Sequence, residues 1–384
     1  MLHIGVLTTS FPQDISGSEA AGSFVYDFVN ELANHVEVTV FAPGTSQSAE
    51  ETEKFRVYRY YVPHLPLSTL KAGNPAHWLS IFRTLRSGES TITHMAGENH
   101  FDHLFALWAI PSGYWARKVK RKYGIHYSIW ALGSDIWSMR DKPVTGTILK
   151  KILQDAEHCF ADGQILKEDV RQISGRSCHF LPSSRILVTG ETSSKNSGPP
   201  YNLAYLGRWH PNKGIDILLK SLESLDEADW GSINELRIFG GGPLENEVTA
   251  AIDEFKSRGR PVLQGGYINK AEAARLISWA DYLLIPSRIE SIPVVFSDAL
   301  QCHTPVVAMP VGDLPELISR SNCGILAGNV SPEAFSAAIK TALKTSATGY
   351  RESIEKLSSD FNMQSIVRNF IETVNKTATS DAVK

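Results

Sequence analysis

"DYLLIPSRIESIPVVFSDALQCHTPVVAM", Asp281–Met309, reads as strand, turn, helix and strand in immediate succession. The unbroken "YLLI" suits a strand buried on both faces rather than one with a wet side. "RIESI" is the turn, Pro293 fits a first helical position, "VVFSDALQC" carries the helix, and "TPVVAM" is the next strand. Two carboxylates interrupt this apolar stretch, Glu290 in the turn and Asp298 on the helix. An acid in such surroundings is costly unless it meets water or a ligand. The pair therefore marks a candidate site, against the plain alternative of a local cap at Glu290 and a solvated Asp298.

The same alternation runs outward in both directions. "LHIGVLTT", "VEVTVF", "IHYSIWAL", "YNLAYLG" and "INELRIFGGG" are strand candidates, separated by amphipathic stretches such as "GSFVYDFVNELANH" and "KGIDILLKSLESL". Strands and helices in turn imply an α/β fold, mostly parallel sheets with helices on both faces. A chain of 384 residues exceeds what one core usually serves. The richest break, "TGETSSKNSGPPYN" (Thr189–Asn202), divides it near the middle. We expect a first domain over 1–190, a linker over 191–200 and a second domain over 201–360, with a helix over 361–376 returning to the first. Open α/β domains bind ligands beyond the C-terminal ends of their strands, here expected to face each other across a deep cleft.

Composition excludes several classes. Apolar residues make up 42%, charged residues 21%, and the formal net charge is −3, which offers nucleic acid no electrostatic reason to bind. Four scattered cysteines suggest neither a disulfide scaffold nor a zinc knuckle, and fit a reducing, cytoplasmic setting. The opening "MLHIGVLTTSF" lacks a basic n-region and reads as a first strand, and no apolar run is long enough to span a bilayer. There is no G-x-S-x-G elbow, no G-x-G-x-x-G loop and no H-E-x-x-H spacing, so serine hydrolases, dinucleotide enzymes and zinc proteases are disfavoured.

The strand ends supply the candidates. In "LGRWHPNKGIDILL", Arg208 and Lys213 bracket the loop before a helix, a cationic setting for a diphosphate; a solvated basic loop reads equally well. Gly241, within Gly240–Gly242, would let a ligand approach the backbone. At the start of the helix after Glu290, the N–H groups of Ser291, Ile292 and Val294, with Pro293 between them, would form an anion pocket. Carboxylates at its two ends would accept from vicinal hydroxyls such as those of a sugar and a ribose. In the first half, Gly22 precedes a helix after the long loop Thr8–Phe24, and Ser134 and Asp135 follow the strand ending in "WALG".

"GRWHPNKGIDILLKSL", "LRIFGGGPLENEV" and above all the stretch from Asp281 to Ile318 resemble the GT4-type (glycosyl transferases group 1) family of retaining glycosyltransferases, with the GT-B fold of two Rossmann-like α/β/α domains. "FPQ…AAGSFVYDFVNELA" and "WALGSDIWS" resemble that family's first-domain segments. The resemblance implies transfer of a sugar from a nucleoside diphosphate sugar, with a UDP-sugar as first choice, to a glycan or lipid-linked acceptor in cell-surface polysaccharide or glycoconjugate synthesis. It gives Glu290 the first place of the E-x7-E motif, on the transferred sugar, and Asp298 the second, on the ribose, where the family normally has Glu. Arg208 and Lys213 match the basic pair on the diphosphate, and Gly22 the glycine near the donor phosphate. With those cations in place, no metal ligand set, obligatory cofactor or essential divalent ion is expected.

The departures are Ser291-Ile292-Pro293 for the usual glycine-phenylalanine-glycine, and Leu132 and Leu107 where the family often has histidine. They leave open a non-catalytic sugar-nucleotide-binding protein of the same fold. Nine Lys/Arg lie between Ser112 and Lys151, and Trp108, Trp115, Trp130 and Trp137 fall in or beside that stretch. A solvated basic face over buried aromatics is the first reading of region 111–151, and a peripheral contact with the anionic inner face of a cell membrane is the second.

Overall fold

The computed structural model describes residues 1–14, 22–65, 67, 70, 73–188 and 195–381. They fall into two compact units, Met1–Pro182 with Met363–Lys384, and Ser183–Asn362. The chain thus crosses between units at 182/183 rather than in the expected 191–200 linker. Of that stretch, 191–194 lie outside the described residues, and Lys195 and Asn196 are fastened to the second unit. The Lys195 ammonium donates to the carbonyls of Ser278 and Ala280 at 2.7 and 2.6 Å and to Thr304 Oγ1 at 2.8 Å. Asn196 N–H reaches Asp281 Oδ1 at 2.6 Å. A polar, Pro/Gly-rich composition signalled loop, but not where its polar groups would dock.

The first unit is built on strands β1 (His3–Leu7), β2 (Glu37–Gly44), β3 (Ser48–Glu51), β4 (Arg56–Tyr61), β5 (His103–Leu107), β6 (His126–Ala131), β7 (Cys159–Ala161) and β8 (Cys178–Phe180). Their order is β3-β4-β2-β1-β5-β6-β7-β8, parallel except for the β3–β4 edge. The helices are α1 (Ser23–Leu32), α2 (Trp78–Glu98), α3 (Tyr114–Tyr123), the single turn α4 (Ser134–Trp137), α5 (Pro143–Asp155) and α6 (Gln164–Ser174). One core joins Val25, Phe28 and Val29 of α1 to Phe105 and Trp130 of the sheet; the other lies under Trp115, Ile129 and Ile152.

The second unit has β9 (Tyr201–Arg208), β10 (Ile233–Gly241), β11 (Val262–Gly265), β12 (Tyr282–Ile285), β13 (Val306–Ala308) and β14 (Gly324–Leu326). They form a parallel sheet in the order β11-β10-β9-β12-β13-β14. Its helices are α7 (Ile215–Glu223), α8 (Glu227–Gly231), α9 (Glu245–Ser257), α10 (Lys270–Trp279), α11 (Val294–Gln301), α12 (Leu314–Ser321), α13 (Pro332–Ala342) and α14 (Arg351–Ser358). The last helix, α15 (Met363–Asp381), belongs to the first unit, where Phe370 packs on Phe28 and Phe105 at ring separations of 5.5 and 4.2 Å.

Each sheet reverses its strand order once in a place that matters. The switch points fall between β1 and β5 and between β9 and β12, and crevices outside the C-terminal ends of strands at such points are where α/β sheets bind ligands.

Candidate functional site

The β9/β12 switch point is built by two loops that hold each other. After β9 the chain turns through Pro211–Lys213 and enters α7 at Gly214. Gly214 has φ 69°, and a Cβ there would stand 1.8 Å from the Pro286 carbonyl oxygen, so only glycine lets this turn lie on the end of β12. Arg288, which sequence reasoning passed over, clamps the two loops. Its guanidinium takes both carboxylate oxygens of Asp216 at 2.7 and 2.6 Å and the Pro211 carbonyl at 2.6 Å, and its N–H donates to Asn212 O at 2.8 Å. The local signal was there, an acid in the first turn of α7 and a cation after β12, but nothing in either segment says that they meet.

Within that clamp Lys213 donates from Nζ to Glu290 Oε1, and Ser287 Oγ donates to the same oxygen at 3.1 Å. Arg208 closes β9 five residues before Lys213. Two of the expected catalytic residues are thus joined directly and the third lies at the same strand end. Ser291, Ile292 and Pro293 are buried. Pro293 is the N-cap (φ −67°, ψ 134°) rather than the first helical residue, so the helix opens at Val294. Ser291 O accepts from Asp313 N at 3.1 Å, and the Ser291 hydroxyl is buried with no hydrogen-bond partner among the described residues.

Asp298 does not stand where a ribose ligand was expected. It is 0% exposed, and Arg185 Nε donates to its two oxygens at 2.8 and 3.0 Å while Nη2 reaches Oδ2 at 2.5 Å. The same segment is held by Gln301, whose amide donates to Arg185 O at 2.7 Å and accepts from Leu187 N–H at 3.1 Å. The shorter acid on α11 is therefore neutralised internally by the segment that opens the second unit.

Gly241 is likewise occupied by the protein. Its carbonyl accepts from Trp209 N–H and from the Tyr267 hydroxyl, both at 2.8 Å. The neighbouring glycines serve close packing, since a Cβ on Gly240 would stand 1.9 Å from Gly207 O. Tyr267 itself is 69% exposed, and its ring lies against Gly241 at the C-terminal ends of β10 and β11. An exposed aromatic fixed by its own hydroxyl was missed because "QGGYINK" reads only as a turn.

In the first unit Gly22 caps α1 at φ 73°, with room for a Cβ denied by Phe11 Cα at 2.7 Å; Gly17, in the same loop, lies outside the described residues. Ser134 begins the turn α4, and its carbonyl accepts from Ser138 Oγ. Asp135, expected at a ligand, points inward instead. It is 4% exposed and pins two loops by accepting from Ala109 N at 2.6 Å and Leu132 N at 3.1 Å. Burial pushes its carboxyl up to about 6, against the backbone donors that favour the charged form. Leu107 is fully buried in β5, and Leu132 is partly buried against the α1 core.

Region 111–151 keeps an exposed basic face, with Arg121, Lys122, Tyr123, Lys142, Lys150 and Lys151 at the surface, while two of its tryptophans are buried. Trp115 and Trp130 are core residues whose indole N–H groups donate to Leu85 O and Leu181 O. Arg117, Lys118 and Arg140 pair with Asp155, Glu89 and Asp169 at 2.6, 2.7 and 2.9 Å, and Lys120 caps the Asp155 carbonyl. Among the described residues no helix is long and apolar enough to cross a membrane, and no cluster of His, Cys, Asp or Glu could hold a metal ion.

The comparisons with known proteins agree on class. The family description "Glycosyl transferases group 1" matches residues 200–345, from β9 to the end of α13. A D-inositol 3-phosphate glycosyltransferase from Jonesia denitrificans is 30% identical over 40% of this chain, a match that spans only 36% of that relative's length. A GDP-mannose-dependent alpha-(1-6)-phosphatidylinositol monomannoside mannosyltransferase from Mycolicibacterium smegmatis is 24% identical over 87% of each chain. The Anabaena HepE structure in complex with UDP-glucose superimposes with a TM-score of 0.71 at 15% identity, over 98% of this chain and 100% of that one. Residues 200–345 match the group 1 glycosyltransferase family, and the chain that carries them has the GT-B fold of these structural neighbours.

Proposed function

We propose that the chain is a retaining glycosyltransferase that moves a sugar from a nucleoside diphosphate sugar, preferably a UDP-sugar, to a hydroxyl of a glycan or lipid-linked acceptor in cell-surface polysaccharide or glycoconjugate synthesis. The observation that carries this reading is the Lys213–Glu290 pair at the β9/β12 switch point. A donor supplies the exchange partners for both charges. Its diphosphate takes the Lys213 ammonium, assisted by Arg208, and Glu290 becomes the acceptor for a sugar hydroxyl. The amide-bearing start of α11 adds positive potential for the same anion. Tyr267 offers a planar face for the base.

In the transfer, the bond from the anomeric carbon to the diphosphate oxygen breaks, and the acceptor oxygen bonds to that carbon on the same face. The acceptor's proton passes to the departing diphosphate oxygen. Arg208 and Lys213 stabilise the charge that develops there, the part a divalent ion plays elsewhere, so the chemistry needs none. A second reading, a sugar-nucleotide-binding protein without turnover, is favoured by one observation, the withdrawal of Asp298 behind Arg185. Thermal shift against UDP-, GDP-, ADP- and dTDP-sugars, with mass spectrometry of products formed on candidate acceptors, tests both. Stabilisation by UDP-sugars with a glycosylated product is expected. Stabilisation with no product on any acceptor supports the second reading, and indifference to every nucleotide overturns both.

A further inference from the structure

Helix α2 wears its bulk on the outside. The residues it buries are Thr84, Gly88, Ile92 and Ala96, a mostly small stripe, and Gly88 sits so close to Trp115 that a Cβ would lie 2.5 Å from the indole. The large apolar residues of its first two turns point the other way: Trp78 is 60% exposed, Leu79 59%, Phe82 63% and Leu85 38%. Spaced i, i+1, i+4 and i+7, they share one side of the helix. A cluster of this kind marks an interaction site, because a solvated helix gains nothing from holding such residues in water.

The charge on the exposed part of these first turns has one sign, and the acids Glu89 and Glu98 lie further along the helix beside Arg86. Arg83 and Arg86 are exposed on the same two turns. With Tyr61, Phe82 and Ser90 they line a groove of about 620 Å³ beside the apolar residues. From Val62 to Gly88 the sequence contains no Asp or Glu, and the first acid, Glu89, is paired with Lys118. We propose that this face of α2 docks on an anionic lipid bilayer, with Trp78, Leu79 and Phe82 entering the boundary of the acyl region and Arg83 and Arg86 on headgroup phosphates. This is the composition of an interfacial helix, apolar and aromatic on one side with cations flanking it. A second copy of the chain fits less well. A two-fold interface sets a patch against itself and would bring two cationic patches together. The inference stands apart from the transfer reaction, since docking requires neither donor nor acceptor.

Vesicle co-sedimentation of the full chain tests it, comparing phosphatidylcholine vesicles with vesicles containing phosphatidylglycerol at low and high salt. We expect binding to the anionic vesicles that weakens with salt. Arg83→Gln with Arg86→Gln should lower partitioning about 25-fold, from roughly five-fold per cation removed. Trp78→Ser, Leu79→Ser and Phe82→Ser together should abolish binding. Lys150→Gln with Lys151→Gln, exposed cations of α5, should lower it far less. Melting curves establish that each variant is folded, and the arginine pair gives a reading even where the apolar triple is destabilised. Failure of the native chain to bind anionic vesicles overturns the proposal, as does undiminished binding by the arginine variant. A dimer that Phe82→Ser disperses, without vesicle binding, would assign the face to a second copy instead.

Discussion

Lys213 and Glu290 make an ion pair whose members we propose to serve different parts of a nucleotide sugar, so they should separate in experiment. Lys213→Ala removes a charge-assisted donor and should weaken UDP binding by about 1.5–3 kcal/mol, read by calorimetry. Glu290→Gln keeps the size but not the charge, and should lower turnover with the sugar nucleotide far more than it lowers affinity for free UDP. Equal UDP affinity in native chain and Lys213→Ala would remove the diphosphate assignment. Asp298 calls for a different test. Its carboxylate and the Arg185 guanidinium are both buried, and Asp298→Asn leaves a cation without its anion. That change should cost about 3–5 kcal/mol of stability, while Arg185→Met with Asp298→Leu should recover most of it. Affinity of the folded Asp298→Asn protein for UDP should stay near the native value, and a large loss at unchanged melting temperature would return the residue to the ribose. Spacing on the chain was enough to place Glu290 and Lys213 at neighbouring strand ends, because each belongs to a loop at its own strand end. It could not disclose Asp298, whose fate is decided by a partner 113 positions away.

At the scale of elements, one end of the first sheet collects histidines and the other holds a buried acid. His103 and His126 begin β5 and β6 and face each other in register, both 3.4 Å from Glu157, while His158 and His179 continue the row beside β7 and in β8. Burial pushes His158 down to about 4, with His103, His179 and Arg176 adding to the effect and Glu157 opposing it. His103 is lowered for the same first cause. A histidine whose folded value lies below its unfolded one contributes stability above about pH 6.5 that is lost as pH falls toward about 4. Asp135, at the far end of β6, has the opposite sign: its raised carboxyl favours the fold at low pH, and that contribution disappears as pH rises through about 6. The two slopes oppose each other in the same window. His158→Gln should therefore gain melting temperature relative to the native chain at pH 5 compared with pH 8, and a difference independent of pH would show that His158 does not titrate there. The strands themselves were plain from their apolar runs, but the row was not, since neighbouring strand starts are separated by a whole helix in sequence. The tryptophans of 111–151 left two readings open for a related reason. Their number was visible, whereas the carbonyls that satisfy Trp115 and Trp130 within the core were not.

For the whole molecule, the alternation of strands and helices was enough to reach two α/β domains, and the group 1 stretch lay in a part of the sequence where short loops leave little freedom. The boundaries were harder, because Lys195 and Asn196 look like linker residues until their acceptors on Ser278, Ala280 and Asp281 are seen. Fold alone does not decide what a GT-B chain does to the anomeric carbon, since function resides in the site. Retention is the outcome we propose. Arg208 and Lys213 are the cations we propose for the departing diphosphate, and Glu290 is engaged by Lys213 and Ser287 rather than poised as a lone base. Asp135, the other acid near a switch point, is turned inward on Ala109 and Leu132. With both of these acids engaged by protein groups, we propose the departing diphosphate oxygen itself as the base. The anomeric proton coupling of the product should therefore match that of the donor, so that an α-linked donor yields an α-linked product. Activity should also survive a chelator, because two cationic side chains take the diphosphate charge. A β-linked product from an α-linked donor would require a base elsewhere, and loss of turnover restored by added magnesium would show that Arg208 and Lys213 do not suffice.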